Sequence, residues 1–427
     1  MGLAIVIVCA VSLVANRQPT QPNPPAVREL ASLARVLMAK DPILAQPVQR
    51  QQFEQLVSRL ETQARNDPNA PYWLTWQRLN DLTVFLHSPD TNAYFSTASP
   101  TEFPLAFVWT ADGIAVSPAA ADIALFPADS QLVSLGGLSP QQLLSRLQVV
   151  LPGNPYWVRR LGQSLLPFPY LLHWIGALGP SGQLSLTVQE PSGRLVTRSL
   201  TAVKVPAQPH LATSTVARWS IDTVHGYGLL CIYTMAFNRT MLSDLKAFFA
   251  AVKQSGVKRI LIDVRSNTGG NSCVTNAVLV YLPNPAGVSQ CGLLTMVPDQ
   301  ALMFHGQVIV AQGWATSGSA ASFTSGLSAL PEVTIVGAPT GGNPSGDIGN
   351  VVPFQIAGSS PLLRGQVGTQ QFCLPPAPQW SPNRTLPTLA GGCLLIESVL
   401  PQVSLPLTLQ DLRSHTDPVI QWMNAQP

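Results

Sequence analysis

The stretch QVIVAQGWATSGSAASF, residues 307–323, joins an apolar run to a segment of small side chains and hydroxyls. The run QVIVAQ has the length and the β-branched content of a buried strand. The segment after it is predicted to begin a helix, so a serine there would lie at a helix N-terminus, beside backbone N–H groups without a helical partner. The candidate serines are Ser317, Ser319 and Ser322. A catalytic nucleophile and a helix-capping serine both fit this pattern.

Predicted strands and helices alternate on both sides of this stretch. The strand-like runs are GLLCIYT (228–234), RILIDVRS (259–266) and VTIVGA (333–338), and the helical ones are MLSDLKAFFAAVKQSG (241–256) and SCVTNAVLVYL (272–282). Such alternation is typical of an α/β fold with a largely parallel sheet.

The chain ahead of this core is predicted to be helical first and β-rich afterwards. VRELASLARVLMAK (27–40) and VQRQQFEQLVSRLETQARN (48–66) place apolar residues three and four positions apart, as in amphipathic helices. From about residue 102, short strand-like runs such as FPLAFVWT and QLSLTVQE flank one helical segment, SPQQLLSRLQVVL. We divide the chain into a signal peptide with a proline-rich linker (1–27), a helical N-terminal region (28–100), a β-rich region (101–204) and an α/β domain (205–427).

Composition and charge limit the kinds of partner. The 427 residues are 46% hydrophobic, which is enough for two or three domains with cores of their own. The net charge is only +3 and no block of Lys and Arg occurs, so we expect no nucleic-acid partner. The cysteines and histidines lack the spacing of a zinc site, and we expect neither a metal nor another cofactor.

The N-terminal segment predicts export. MGLAIVIVCAVSLVAN (1–16) holds an apolar run of roughly 14 residues, too short to span a bilayer comfortably and typical of a signal peptide, although no Lys or Arg precedes it. We therefore expect a secreted, periplasmic or extracellular protein that contacts the membrane only transiently, through this segment. Removal of the segment leaves an odd number of cysteines: Cys231, Cys273, Cys291, Cys373 and Cys393. At least one stays free, while 273 with 291 and 373 with 393 are spaced to close modest loops in an oxidising compartment.

Two glycine-rich turns follow predicted strands. In ILIDVRSNTGGNS (260–272), Gly269 and Gly270 can bring backbone N–H groups close to a ligand, as an oxyanion hole requires, although paired glycines also occur in ordinary turns. In VTIVGAPTGGNPSG (333–346), the absence of a Walker lysine argues against a phosphate cradle.

In this order, these pieces resemble the tail-specific, or C-terminal processing, serine peptidases, in particular the branch of tricorn core and chlamydial-type proteases with a Ser/His/Glu arrangement. The resemblance covers nearly all of residues 70–425. It rests on the blocks GYGLLCIY, ILIDVRSNTGGN, VIVAQGWATSGSAASF, TIVGAPTGGN, LLIESVLPQVSLPLT and HTDPVIQWM. It implies a ClpP/crotonase-like α/β peptidase core at 205–427, a PDZ-like β module near 126–204, and a peptide or unfolded protein as substrate.

The resemblance also assigns roles to residues. The family nucleophile falls on Ser319, and the oxyanion donors would be the backbone N–H groups of Ala320 and of Gly269 or Gly270. Many family members have a lysine base at the end of the second glycine-rich turn, but that position here is Asn343, which excludes a Ser-Lys dyad in this register.

The general base of the Ser/His/Glu branch falls at a changed position. In FLHSPDTN (85–92), Asp90 stands where the family has its histidine, and His87 lies three residues earlier, while the triad carboxylate matches Glu397. A histidine with a pKa of about 6.5 accepts a serine proton far better than an aspartate near 3.9. We therefore expect His87 Nε2 to approach Ser319 Oγ with Glu397 behind the imidazole, and Asp90 to orient or replace the base.

Two functions remain open from the sequence. One is a secreted serine endopeptidase that hydrolyses peptide bonds through an acyl-enzyme on Ser319. The other is a catalytically inactive relative that binds a peptide or an apolar ligand, since the base position is altered.

Overall fold

The computed structural model describes residues 24–88, 90–95, 101–119, 125–179, 181–204, 215–283, 289–291, 294–345, 347–358, 363–372 and 397–426. The predicted signal peptide, Cys373 and Cys393 lie outside these ranges. No helix within them is both long and apolar enough to cross a membrane.

The N-terminal region is helical, as predicted. It contains α1 (Pro25–Lys40), a short 3-10 helix (Pro42–Ala45), α2 (Pro47–Asn66) and α3 (Tyr72–Val84). Helix α1 begins inside the predicted proline-rich linker, because a proline suits the first position of a helix, where its missing N–H would have no partner. Leu30, Phe53 and Leu79 are fully buried between the helices.

A five-stranded antiparallel sheet dominates the next part of the chain. After β1 (Asn92–Phe95) and β2 (Thr101–Glu102), the elements are β3 (Leu105–Trp109), β4 (Ile114–Pro118), β5 (Ser130–Leu135), α4 (Pro140–Val150), α5 (Pro155–Leu165), α6 (Pro169–Trp174), β6 (Gln183–Gln189), β7 (Leu195–Thr201) and β8 (Val203–Lys204). Strands β3 to β7 are neighbours in that order. The sheet starts at Leu105, ahead of the 126–204 span predicted for the PDZ-like module. The bounds of the β-rich region and the likeness to a PDZ domain stay predictions.

The α/β domain is built on a six-stranded sheet. Its elements, and those that follow, are β9 (Ala217–Asp222), β10 (Tyr227–Ile232), α7 (Arg239–Ser255), β11 (Arg259–Asp263), α8 (Cys273–Leu279), β12 (Ser289–Cys291), β13 (Leu294–Met296), β14 (Gln307–Gln312), α9 (Ser319–Leu327), β15 (Val333–Gly337), β16 (Asp347–Gln355), β17 (Leu363–Phe372), β18 (Val403–Ser404), α10 (Leu409–Ser414) and α11 (Pro418–Ala425). The strand order is β18-β15-β14-β11-β10-β9. All neighbours are parallel except β9, which runs antiparallel to β10. The predicted α/β core is confirmed.

Both faces of this sheet are covered, which explains the continuous apolar run of β14. Val308 and Val310 pack into the core shared with α7, α8 and α9. Ile309 and Ala311 point to the other face, where Met423 of α11 packs. Strands buried on both faces have apolar residues at successive positions rather than at alternate ones.

The antiparallel strands β16 and β17 connect the N-terminal helical region to a much later part of the chain. Strand β17 pairs with β16 on one side and with β1 on the other, both antiparallel. Ile356, Leu363 and Val367 complete the core of the N-terminal helices. The helical region is therefore packed on a part of the chain that follows the nucleophile segment.

Candidate active site

The serine turn lies between β14 and α9. Ser319 is the first residue of α9, and Gly318 before it has φ 52° and ψ −132°, a conformation that a residue with a side chain adopts only with strain. Ser317 Oγ donates a hydrogen bond to Thr268 O at 3.1 Å, and Ser322 Oγ donates one to Pro344 O at 3.5 Å. Ser319 Oγ is buried and has no hydrogen-bond partner among the described residues. Of the three candidate serines, Ser319 is thus the one whose hydroxyl is not held by a hydrogen bond within the described residues.

The turn with the paired glycines touches the backbone of this serine. Gly269 and Gly270 have φ of 104° and 139°. A Cβ on Gly269 would lie 3.1 Å from the backbone N of Ser319, so only glycine allows this approach. The Gly269 N–H donates to Asn267 Oδ1 at 2.8 Å, and the Ala320 N–H donates to Ser317 O at 3.0 Å. Within the described residues, the Gly270 N–H is the one predicted oxyanion donor without an acceptor.

Asn267 holds the two turns together, and sequence reasoning missed it. Its side chain is fully buried, and its Nδ2 donates to Ile232 O at 3.0 Å while its Oδ1 accepts from Gly269. Its backbone O accepts from the Ser317 N–H at 3.2 Å. In the sequence, the one sign of this role is the position of an amide side chain between a predicted buried strand and a glycine pair.

The second glycine-rich turn supports the serine turn from the other side. The Gly342 N–H donates to Thr316 O at 2.9 Å, and Thr340 Oγ1 accepts from the Val399 N–H at 2.9 Å. The segment that starts at Glu397 is thereby fastened beside the site. The Glu397 backbone O accepts a hydrogen bond from Asn154 Nδ2, but its side chain is exposed to solvent.

The two candidate bases lie in the connection between α3 and β1. His87 has φ 53° and an exposed side chain. Asp90 is held by its backbone O, which accepts from Gln366 Nε2 of β17 at 3.3 Å. Burial raises the pKa of the Asp90 carboxyl from 3.8 to about 6. No hydrogen bond joins Ser319 Oγ to His87, Asp90 or Glu397, so the roles assigned to these three remain predictions.

Charged groups at the carboxyl ends of the strands are paired with one another. Arg265 Nη2 lies 2.7 Å from both Asp263 Oδ2 and Asp417 Oδ2, which fastens α11 to the end of β11. Burial acts to raise the pKa of Asp417, but the hydrogen bonds from Arg265 outweigh it, and the pKa lies below its ordinary value. Within the described ranges, no three His, Cys, Asp or Glu side chains are grouped to hold a metal ion.

A disulfide lies immediately behind the oxyanion turn. Cys273, the first residue of α8, is bonded to Cys291 at the end of β12, with the Cα atoms 5.5 Å apart. This is one of the two pairings that the spacing allowed. Cys231 is a free thiol, and burial raises its pKa to about 11, so it stays protonated and unreactive near neutral pH.

Comparison with known proteins agrees with this geometry. A serine at a strand-to-helix turn of a parallel sheet, beside paired glycines, is an arrangement suited to acyl transfer. Residues 226–356, which include Gly269, Gly270 and Ser319, match the model of peptidase family S41. This match confirms the resemblance to the C-terminal processing peptidases that the sequence indicated.

Solved structures of a chlamydial protease, mature CPAF, share the fold. With CPAF complexed with lactacystin the TM-score is 0.66 at 13% identity, over 94% of this chain and 97% of that one. A second structure of mature CPAF gives 0.62 at 14% identity, over 94% and 95% of the two chains. No curated protein matches the sequence.

Proposed function

We propose that the protein is a serine endopeptidase of the tail-specific type that acts outside the cytoplasm and cleaves peptides through an acyl-enzyme on Ser319. The observation that carries the proposal is the uncommitted hydroxyl of Ser319 at the start of α9, where the other two serines of the turn are hydrogen-bonded. The disulfide between Cys273 and Cys291 supports an oxidising compartment.

The substrate would approach from the antiparallel sheet of β3 to β7. Its two outer strands, β3 and β7, have a neighbour on one side only within the described residues. An extended peptide can add to such an edge through main-chain hydrogen bonds. This is the role we propose for the predicted PDZ-like module.

In the proposed reaction, Ser319 Oγ attacks the carbonyl carbon of the scissile bond and gives its proton to a general base. The negative charge on the carbonyl oxygen is stabilised by the backbone N–H of Gly270, joined by that of Ala320 once it turns away from Ser317 O. The base then protonates the leaving amine, and water hydrolyses the acyl-enzyme by the same route.

The base is the open part of the mechanism. Asp90 occupies the family's histidine position, and its raised pKa of about 6 makes it a stronger base than an ordinary carboxylate. His87 has the better chemistry for the role, but its imidazole would have to leave solvent and turn toward Ser319. Glu397 would stabilise a charged imidazole only after a similar movement of its exposed side chain.

Labelling with a fluorophosphonate tests the nucleophile. We expect the protein to be labelled, Ser319→Ala to abolish the label, and the matched control Ser322→Ala to retain it, because the Ser322 hydroxyl is already bonded to Pro344 O. A label that survives Ser319→Ala would refute the assignment.

Two further variants identify the base. If His87 is the base, His87→Ala should lower the rate of peptide hydrolysis roughly a thousandfold or more and Asp90→Asn should change it little. If Asp90 is the base, the two variants should show the opposite effects. Asp90→His, which restores the family residue type, should raise the rate if Asp90 occupies the base position.

A second function is favoured by one observation, the absence of a hydrogen bond between Ser319 and any candidate base in the described residues. A relative without a working base would bind peptides at the β3–β7 sheet without cleaving them. In that case the natural protein would not react with the fluorophosphonate, but it would still bind peptides in a calorimetric titration.

A further inference from the structure

Strand β9 forms one edge of the six-stranded sheet, and within the described residues it has a neighbouring strand, β10, on one side only. Arg218, Trp219 and Ser220 of this strand are all exposed. Because successive side chains of a strand point to opposite faces, β9 is accessible from both. An open edge of this kind can pair with a strand of another chain.

The hydrogen bonds between β9 and β10 determine which backbone groups of β9 point outward. The Tyr233 N–H donates to Val216 O at 3.0 Å, in line with the antiparallel register of the two strands. Hydrogen-bonded and non-hydrogen-bonded pairs alternate in such a ladder, so Val216 and each second residue after it turn their N–H and C=O groups toward β10. The N–H and C=O groups of Ala217, Trp219 and Ile221 therefore point to the open edge. No other backbone group of the described residues bonds to them.

The charges on β9 favour one register for the pairing of two copies. A two-fold axis places the two β9 strands antiparallel to each other. With Ser220 opposite Ser220 of the second copy, Arg218 lies opposite Asp222, and Trp219 lies opposite Ile221. Trp219 and Ile221 then exchange the hydrogen bonds for which their outward N–H and C=O groups are placed. Arg218 and Asp222 form a non-hydrogen-bonded pair, in which opposite side chains lie closest together. Opposite charges at such positions stabilise a sheet.

The two charged side chains are suited to this pairing. Asp222 Oδ1 accepts from the N–H groups of Val224 at 3.0 Å and His225 at 2.9 Å, and Oδ2 lies 2.8 Å from His225 Nδ1. The hydrogen bond from the His225 N–H, with the others, holds the pKa of this carboxyl below its usual range, so it is ionised near neutral pH. Arg218 forms neither a hydrogen bond nor an ion pair in the described part of the chain, so its guanidinium can bond to a carboxylate of another molecule.

The apolar side chains lie on the other face of the strand, next to α7. The Trp219 side chain is 39% exposed, and its ring centroid lies 6.3 Å from that of Phe248. Ile221 is partly buried against the same core. In the pairing described above, Trp219 of one copy covers Ile221 of the other. The apolar layer beneath α7 then continues across the two-fold axis, and apolar surface is removed from water.

We propose that two copies of this chain associate through β9, with the two-fold axis at Ser220, so that their six-stranded sheets become one continuous sheet. A second copy fits this edge because it carries Arg218 and Asp222 at the positions where each meets its opposite charge. The association goes beyond the proposed peptidase function and does not depend on Ser319.

Sedimentation velocity of the full chain over a series of concentrations tests the proposal. We expect a dimer at micromolar concentration. Arg218→Asp puts an aspartate opposite Asp222 of the second copy, and this repulsion should raise the dissociation constant of the dimer by at least about tenfold. Arg50→Asp, the same charge change at an exposed ion pair of α2, should leave the dissociation constant unchanged.

A mixing experiment tests the register. Asp222→Arg puts an arginine opposite Arg218, so this variant should also be monomeric. Mixing folded Arg218→Asp with folded Asp222→Arg puts each aspartate opposite an arginine and should restore a dimer with one copy of each, which native mass spectrometry detects. Asp222→Asn keeps an acceptor for the N–H groups of the turn and should weaken the dimer even if Asp222→Arg does not fold.

The possible results separate this proposal from the peptidase function. A monomeric natural protein, unchanged association of folded Arg218→Asp, or two folded charge variants that do not combine would each overturn the dimer. Melting temperatures verify the folding of each variant. A protein that dimerises as expected but does not react with the fluorophosphonate would refute only the peptidase function.

Discussion

Gly342 is a position where even the methyl group of alanine should disturb the serine turn. A Cβ there would lie 2.4 Å from Ser317 Cα, 2.6 Å from Ser317 Cβ and 2.8 Å from Gly318 N. Because non-bonded carbons in contact are separated by about 3.5 to 4 Å, Gly342→Ala must push the two turns apart by roughly 1 Å. Such overpacking costs about 1 to 3 kcal/mol of unfolding free energy. A displacement of about 1 Å at reacting groups costs roughly a hundredfold in rate.

We expect urea unfolding to show this loss of stability, and the rate of fluorophosphonate labelling to fall by about the same hundredfold. Gly326→Ala is the matched control, because it lies in α9 itself and the nearest atom to its Cβ would be Thr275 Cγ2 at 4.0 Å. It should gain about 0.5 to 1 kcal/mol from helix propensity and leave labelling unchanged. Equal stability and equal labelling in the two variants would refute the argument that the Gly342 contact fixes the serine turn.

Three further outcomes follow from the charges and the disulfide. Replacing Cys273 and Cys291 together with serine should lower the unfolding free energy by about 3 kcal/mol, since the bridge closes a loop with a sequence separation of 18; an unchanged urea midpoint would contradict this. The folded pKa of Asp90 is raised from 3.8 to about 6, so the folded state holds the proton more tightly and stability should fall as pH rises through this range. Asp90→Asn should flatten that pH profile and be more stable at pH 7 by up to about 3 kcal/mol; a profile identical to that of the natural protein would show that the carboxyl is not desolvated. Arg265→Met leaves the carboxylates of Asp263 and Asp417 without their partner and should lower the unfolding free energy by roughly 1 to 3 kcal/mol near pH 7. The loss should be smaller at pH 3, where the carboxyls are protonated. Equal melting temperatures of the variant and the natural protein at pH 7 would exclude this role.

The sequence determined the elements whose signals are local. The apolar run of β14, the helical spacing of α7 and the glycine pair at 269–270 each occupy a few consecutive residues, and each appears in the structure as predicted. Helices α5 and α6 were missed because their apolar residues come in short blocks interrupted by prolines. Pro155 and Pro169 start these helices instead of breaking them, since each occupies the first helical position.

Only the tertiary structure decided which polar groups are free. Ser317 and Ser319 lie two positions apart in one run, and what separates them is the carbonyl of Thr268, 49 residues away in the chain, which accepts the Ser317 hydroxyl. The pairing of β1 with β17 is likewise a contact between distant segments. Periodicity and spacing describe what a residue does to its chain neighbours, whereas a hydrogen bond, a burial cost or a cavity depends on which distant atoms folding brings within a few ångströms.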